Sequence, residues 1–118
     1  MENKNNTRLT GMLGFAMRAG RLIIGTDPVC KAMAKNGKDR PRLVAVAYNA
    51  SEGTKKKILT KAEFYRIEAI ILNIDSGELG RLLGKLYAPA TVAIIDDRFA
   101  DEIKRAAGPD DSNSGVIN

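Results

Sequence analysis

Four short strand-like runs, residues 21–24, 43–47, 69–72 and 91–95, alternate along the chain with segments of helical pattern. Runs of four or five residues rich in Val, Ile, Leu and Ala are too short for buried helices and suit strands. The helical segments repeat differently: Leu9, Met12, Leu13 and Ala16 fall at i, i+3, i+4 and i+7, one face of a 3.6-residue period. Helices that separate strands cross from one strand to the next and cover the faces of the sheet. The pattern therefore predicts an α/β fold, a three-layer α/β/α sandwich around a four-stranded, mostly parallel sheet. A chain of 118 residues suffices for one such domain, with a core that needs no disulfide.

Capping and stop signals set the expected boundaries. Residues 1–7 are polar and read as a flexible N-terminus, 8–107 as the domain, and 108–118 as a disordered tail of Gly, Pro, Asp, Ser and Asn. The first helix is expected over 8–19, with Gly20 as its stop. Thr26 or Asp27 would cap a second helix running to about Asn36, with Pro28 in its first turn, where a missing N–H costs little. Ser51 would cap a third over 52–66, with Ile58, Leu59, Ala62 and Tyr65 facing inward. Ser76 would cap a fourth that ends before Gly84, and Asp96 or Asp97 a fifth that turns Phe99 and Ile103 inward.

Composition removes several chemistries. The chain has no histidine, which excludes Ser-His-Asp and Cys-His catalysis and any zinc site that uses imidazole. A single cysteine, Cys30, permits no internal disulfide and fits a reducing cytoplasm. No apolar run approaches a membrane span, and the polar start lacks the apolar core of a secretion signal. No cofactor and no metal are expected.

Each sharper motif has a plainer reading. Gly80–Lys85 contains G-x-x-x-G-K, one residue short of a phosphate-cradling loop and without the following Ser or Thr, so it reads as a helix C-terminus. Asp96 and Asp97 at a strand end read as a helix cap rather than a magnesium site. Cys30 reads as a small packed residue. Lys55, Lys56, Lys57 and Lys61 form a basic helix face, solvated or in contact with phosphate.

Charge is divided unevenly. Residues 1–66 hold 14 basic and 5 acidic side chains, whereas residues 67–118 hold 5 basic and 9 acidic. Within the basic half, a strand stops at Gly25 and backbone N–H groups open a helix beside Thr26. Lys31 and Lys35 lie a turn apart on that helix, with Arg21 close in sequence. A helix N-terminus ringed by Arg and Lys suits phosphate, so nucleic acid is the expected partner.

These residues also carry a family likeness. Leu13-Gly14-Phe15-Ala16, Arg18-Ala19-Gly20-Arg21-Leu22, Gly25-Thr26 with Lys31, Asn49-Ala50-Ser51, Thr54-Lys55-Lys56, Phe64-Tyr65, Leu79-Gly80-Arg81, Gly84-Lys85, Val92-Ala93-Ile94 and Phe99-Ala100 occur in a specific order and spacing. In these the chain resembles the L-seven-Ae ribosomal-protein family, closest to its short bacterial members, over about residues 9–103. The resemblance implies a mixed rather than mostly parallel sheet. It also implies a non-catalytic, cytoplasmic RNA-binding protein linked to the ribosome or translation. The family's typical ligand is kink-turn RNA, an internal loop with tandem sheared G·A pairs. The family signature G-x-N-E-x-x-K falls on Gly25, Thr26, Asp27, Pro28 and Lys31, with Asp27 in place of Asn and Pro28 in place of Glu. A carboxylate accepts without donating, and proline has no side-chain acceptor, so both changes alter how a G·A edge would be met.

By the same resemblance, the loop before the last strand, Leu86 with Tyr87, Ala88, Pro89, Ala90 and Thr91, would cover a splayed nucleotide. Gly25 and Thr26 would offer backbone donors, Lys31 a base or phosphate contact, and Lys35 and Arg21 phosphate contacts. The alternative is a protein-interaction module on the same fold. The sequence leaves the oligomeric state open.

Overall fold

The computed structural model describes residues 4–108, with side chains from Thr7 onward. Its elements run α1 (Lys4–Arg18), β1 (Leu22–Ile24), α2 (Thr26–Met33), β2 (Leu43–Ala47), α3 (Glu52–Tyr65), β3 (Glu68–Leu72), α4 (Ser76–Leu82), β4 (Thr91–Ile94) and α5 (Asp97–Ala107). The strands lie in the order β1-β4-β2-β3. β2 and β3 pair parallel, and β4 runs antiparallel to both of its neighbours, β1 and β2. Three strands thus share one direction and β4 opposes them, which makes the sheet mixed.

The reversal originates in α4. This helix has seven residues, about 10 Å of rise at 1.5 Å per residue, too short to carry the chain to the far end of the sheet. Gly84, at φ 72°, then turns the chain back. Lys85 N–H donates to the Gly80 carbonyl at 2.8 Å and Gly84 N–H to the Arg81 carbonyl at 3.1 Å, a complete Schellman stop. The G-x-x-x-G-K segment is therefore a helix end. β4 starts from the edge that α4 itself left.

Alternation along the strands builds the two cores. Leu43 and Ala45 of β2, with Val92 and Ile94 of β4, meet Leu9 and Leu13 of α1, Leu79 of α4 and Ile103 of α5. Val44, Val46 and Ala93 face the other way, against Val29 and Met33 of α2 and Ile58 and Ala62 of α3. This two-residue period places helices on both faces. Phe99 packs at the margin of the first layer and Tyr65 at that of the second, whereas Leu59, expected inside, is 39% exposed.

Several boundaries differ from the sequence expectation. α1 begins at Lys4, a turn before residue 8, because the sequence of its first turn is polar and carries no apolar signal. Residues 1–3 and the tail beyond Gly108 lie outside the described residues. α4 is capped by Asp75, whose carboxylate accepts from Glu78 N–H at 2.7 Å, so Ser76 is its first residue. α2 stops at Met33 rather than Asn36, and the Arg40 guanidinium takes the Met33 and Lys35 carbonyls there at 3.3 Å each. The same guanidinium bonds the Tyr65 carbonyl at the end of α3. Asp96 caps α5 through Phe99 N–H at 3.0 Å, as expected.

Candidate nucleic-acid interface

The strand directions bring four chain segments to one edge of the sheet. β1, β2 and β3 end there and β4 begins there. Gly25 N–H donates to the Thr91 carbonyl at 2.8 Å, and Ala47 N–H to the Ala90 carbonyl at 2.8 Å. The start of α2 and the loop before β4, far apart in sequence, are thus laced together. Thr26 and Thr91 share a hydroxyl hydrogen bond of 2.9 Å beneath them. From the neighbouring loop, Asn49 accepts from Ser76 N–H at 2.8 Å and fixes the start of α4.

α2 is started by backbone geometry alone. Gly25 is its N-cap at φ 110°, a conformation that L side chains rarely adopt, and no side chain accepts from its first turn. This corrects the expectation that Thr26 or Asp27 caps. Gly25 bends the chain into the helix one residue earlier, so both side chains point elsewhere. Thr26 turns to Thr91, and the Asp27 carboxylate lies 3.7 Å from the Lys57 ammonium of α3. By contrast α3, α4 and α5 each have a capping side chain, Ser51, Asp75 and Asp96. The amides of Thr26 and Asp27 consequently remain available at a positive helix end. Pro28 lies in the first turn, exposed, where it lacks an N–H to satisfy.

The loop before β4 has a buried and an exposed part. Gly80 lies directly beneath it: a Cβ there would collide with the Tyr87 carbonyl and come 3.1 Å from the Pro89 ring. Pro89 and Thr91 are buried by this close approach, and Ala90 is half-buried. Leu86, Tyr87 and Ala88 stand out from the surface, Tyr87 at 57% exposure. Pro89 and Thr91 therefore anchor the loop, while Leu86–Ala88 present its face.

Lys31 is exposed on α2 and has no ion-pair partner among the described residues. Lys35 lies in the turn after α2, also exposed. Arg21 is not part of this edge. It precedes β1 at the opposite end of the sheet, where it lies 3.9 Å from Asp96. There Arg42 also pairs with Asp97, at 3.4 Å. Acids from the second half of the chain thus neutralise bases from the first half at that end, and Lys31 of α2 and Lys56 and Lys61 of α3 are left without an acid partner among the described residues. Two contributors to the near edge escaped the sequence reading: Lys57 as partner of Asp27, and Tyr48, 49% exposed where β2 ends. The lysine run marked Lys57 as basic, but its facing toward α2 depends on how two helices pack.

Comparison with known proteins places this architecture. Residues 7–104 match the model of the ribosomal protein L7Ae/L30e/S12e/Gadd45 family. An Enterococcus faecium protein named RNA-binding protein YlxQ is 33% identical over 105 residues, 88% of this chain and 95% of that protein. The large ribosomal subunit protein eL30 of Sulfurisphaera tokodaii is 32% identical over 94 residues, 77% of this chain and 86% of its own. A solved structure of a Bacillus halodurans protein of unknown function superposes with a TM-score of 0.75 at 28% identity, covering 85% of this chain and 96% of that one. With its mixed four-stranded sheet and its match across nearly the whole domain, the chain belongs to the ribosomal protein L7Ae/L30e/S12e/Gadd45 family.

Proposed function

We infer that this protein is a non-catalytic RNA-binding protein acting in translation, and that it grips structured RNA at the edge formed by Gly25–Lys31 and Leu86–Thr91. The observation that carries this reading is the start of α2, which no side chain caps, held against the loop before β4 by the Gly25–Thr91 hydrogen bond. Open amides at a positive helix end suit an anion, and Lys31 adds a charge one turn along. Tyr48 and Tyr87 offer exposed rings at the same edge, on which unstacked bases can rest. The names of the relatives, an RNA-binding protein and a ribosomal subunit protein, support the same class of ligand. A kink-turn is the ligand type, and the cytoplasm the compartment, that fit the family likeness.

Asp27 bears on specificity. Its pairing with Lys57 offsets the negative charge where the family pattern has a neutral amide. The protein then meets phosphate without a net repulsive centre, while losing the donor an asparagine would supply. The test is a titration against a kink-turn RNA and a matched RNA whose G·A pairs are replaced by Watson–Crick pairs. A preference for the first supports kink-turn recognition. Equal affinity means recognition by shape and charge, and no binding to either rejects the reading.

A further inference from the structure

We propose that a depression beside α2, on the flank away from α3, holds one unstacked nucleotide of the bound RNA, with the base on an aliphatic floor and the flanking phosphates on lysines. This rests on the RNA reading above and extends it past the edge. The depression has a volume of about 600 Å³, within the range typical of small-molecule sites, roughly 300–1,000 Å³. Ile23 of the edge strand β1, Pro28 and Ala32 form the floor, and Lys31, Lys35 and Lys38 stand around it.

Two features select the occupant. First, the three lysines have no ion-pair partner among the described residues, whereas Lys55, Lys57 and Lys104 each pair with an acid. Asp39 is the one acid among the lining residues, so the rim retains net positive charge. Second, the surface between the charges is apolar. An anion with a flat, weakly hydrated body suits that combination, and a nucleotide is such a body between two phosphates. Asn36, also on the wall, carries both donor and acceptor groups for a base edge. Lys31 links this depression to the start of α2, so one strand leaving the helix amides passes directly onto the rim.

The experiment uses the full chain and two RNAs with the same internal loop. One ends blunt and the other carries a short single-stranded extension on the arm beside α2. Wild type is expected to bind the extended RNA about tenfold more tightly, equivalent to about 1.4 kcal/mol. The variant Lys38→Ala should remove most of that advantage and flatten the salt slope on the extended RNA by about 1. Its affinity for blunt RNA should stay within about twofold of wild type, because phosphates on that RNA are gripped at the edge. Lys38 is exposed, so an unchanged melting curve checks that folding is intact. Equal wild-type affinity for the two RNAs, or equal losses on both in the variant, overturns the proposal. Displacement of the extended RNA by a polyglutamate peptide at comparable concentration would also overturn it, in favour of an acidic protein. Failure of wild type to bind even blunt RNA would reject the edge reading and this inference together. Binding of blunt RNA with no gain from the extension would reject only this inference.

Discussion

The Asp27 carboxylate of α2 and the Lys57 ammonium of α3 lie 3.7 Å apart, and the pair crosses between two helices at the proposed RNA edge. Both groups are largely in water, with side chains 82% and 49% exposed, so the contact is worth at most about 1 kcal/mol to folding. Its consequence is local charge. Lys57→Ala should leave Asp27 bare and weaken binding of a kink-turn RNA by about tenfold, with stability changed by less than about 0.5 kcal/mol. Lys56→Ala, which removes a lysine of the same run that has no acid partner among the described residues, should weaken it less. Asp27→Asn should tighten binding in wild type and restore it in the Lys57→Ala background. Equal effects of Lys56→Ala and Lys57→Ala in the titration would show that the pair does not matter for RNA.

Gly80 supports the loop before β4 from below. In Gly80→Ala the new methyl would collide with the Tyr87 carbonyl, which is backbone and cannot swing aside. Overpacking of this kind costs about 1–3 kcal/mol, read as a lower midpoint in urea unfolding. RNA affinity should fall too, since the displaced loop carries Tyr87. A variant of wild-type stability would mean that the loop does not rest on α4.

Arg40 closes two helices at once, through the Met33 and Lys35 carbonyls after α2 and the Tyr65 carbonyl at the end of α3. Its guanidinium also lies 5.9 Å from the centre of the Tyr65 ring. Arg40→Ala should destabilise by about 2–3 kcal/mol, because hydrogen bonds to a charged group are lost and helix-end carbonyls are left unpaired. Lysine cannot span several carbonyls with one planar fork, so Arg40→Lys should recover less than half of the loss. Chemical denaturation of the two variants tests this.

Much of the architecture is readable in the sequence because apolar runs and caps are local signals. The four strands, the stop at Gly20, the cap at Ser51 and the cap at Asp96 all follow from residues within a few positions of one another. The direction of β4 does not follow in this way. Gly84 marks where α4 stops, but the path of the chain afterwards depends on Gly80 letting the loop settle on the helix. The site divides along the same line. Gly25 and Lys31 stand out as sequence and the loop before β4 through the family likeness, whereas the Asp27–Lys57 pairing and the capture of Arg21 by Asp96 arise from packing between distant segments.

Arg66 ends α3 in the left-handed conformation at φ 60°, with its N–H donating to the Glu63 carbonyl at 3.2 Å. A side chain there costs on the order of 1 kcal/mol that glycine avoids. Arg66→Gly should therefore stabilise the protein by up to about 1 kcal/mol, read as a higher melting temperature. A lower one would contradict the assignment of this residue as a strained helix stop.

The central claim, that the start of α2, which no side chain caps, and Lys31 grip RNA, is tested most directly by measuring affinity for a kink-turn RNA as salt rises from about 50 to 200 mM. The expected log–log slope is about −3 or steeper, and Lys31→Ala should flatten it by about 1. A flat slope, no binding near 50 mM salt, or a slope that Lys31→Ala leaves unchanged would contradict the account.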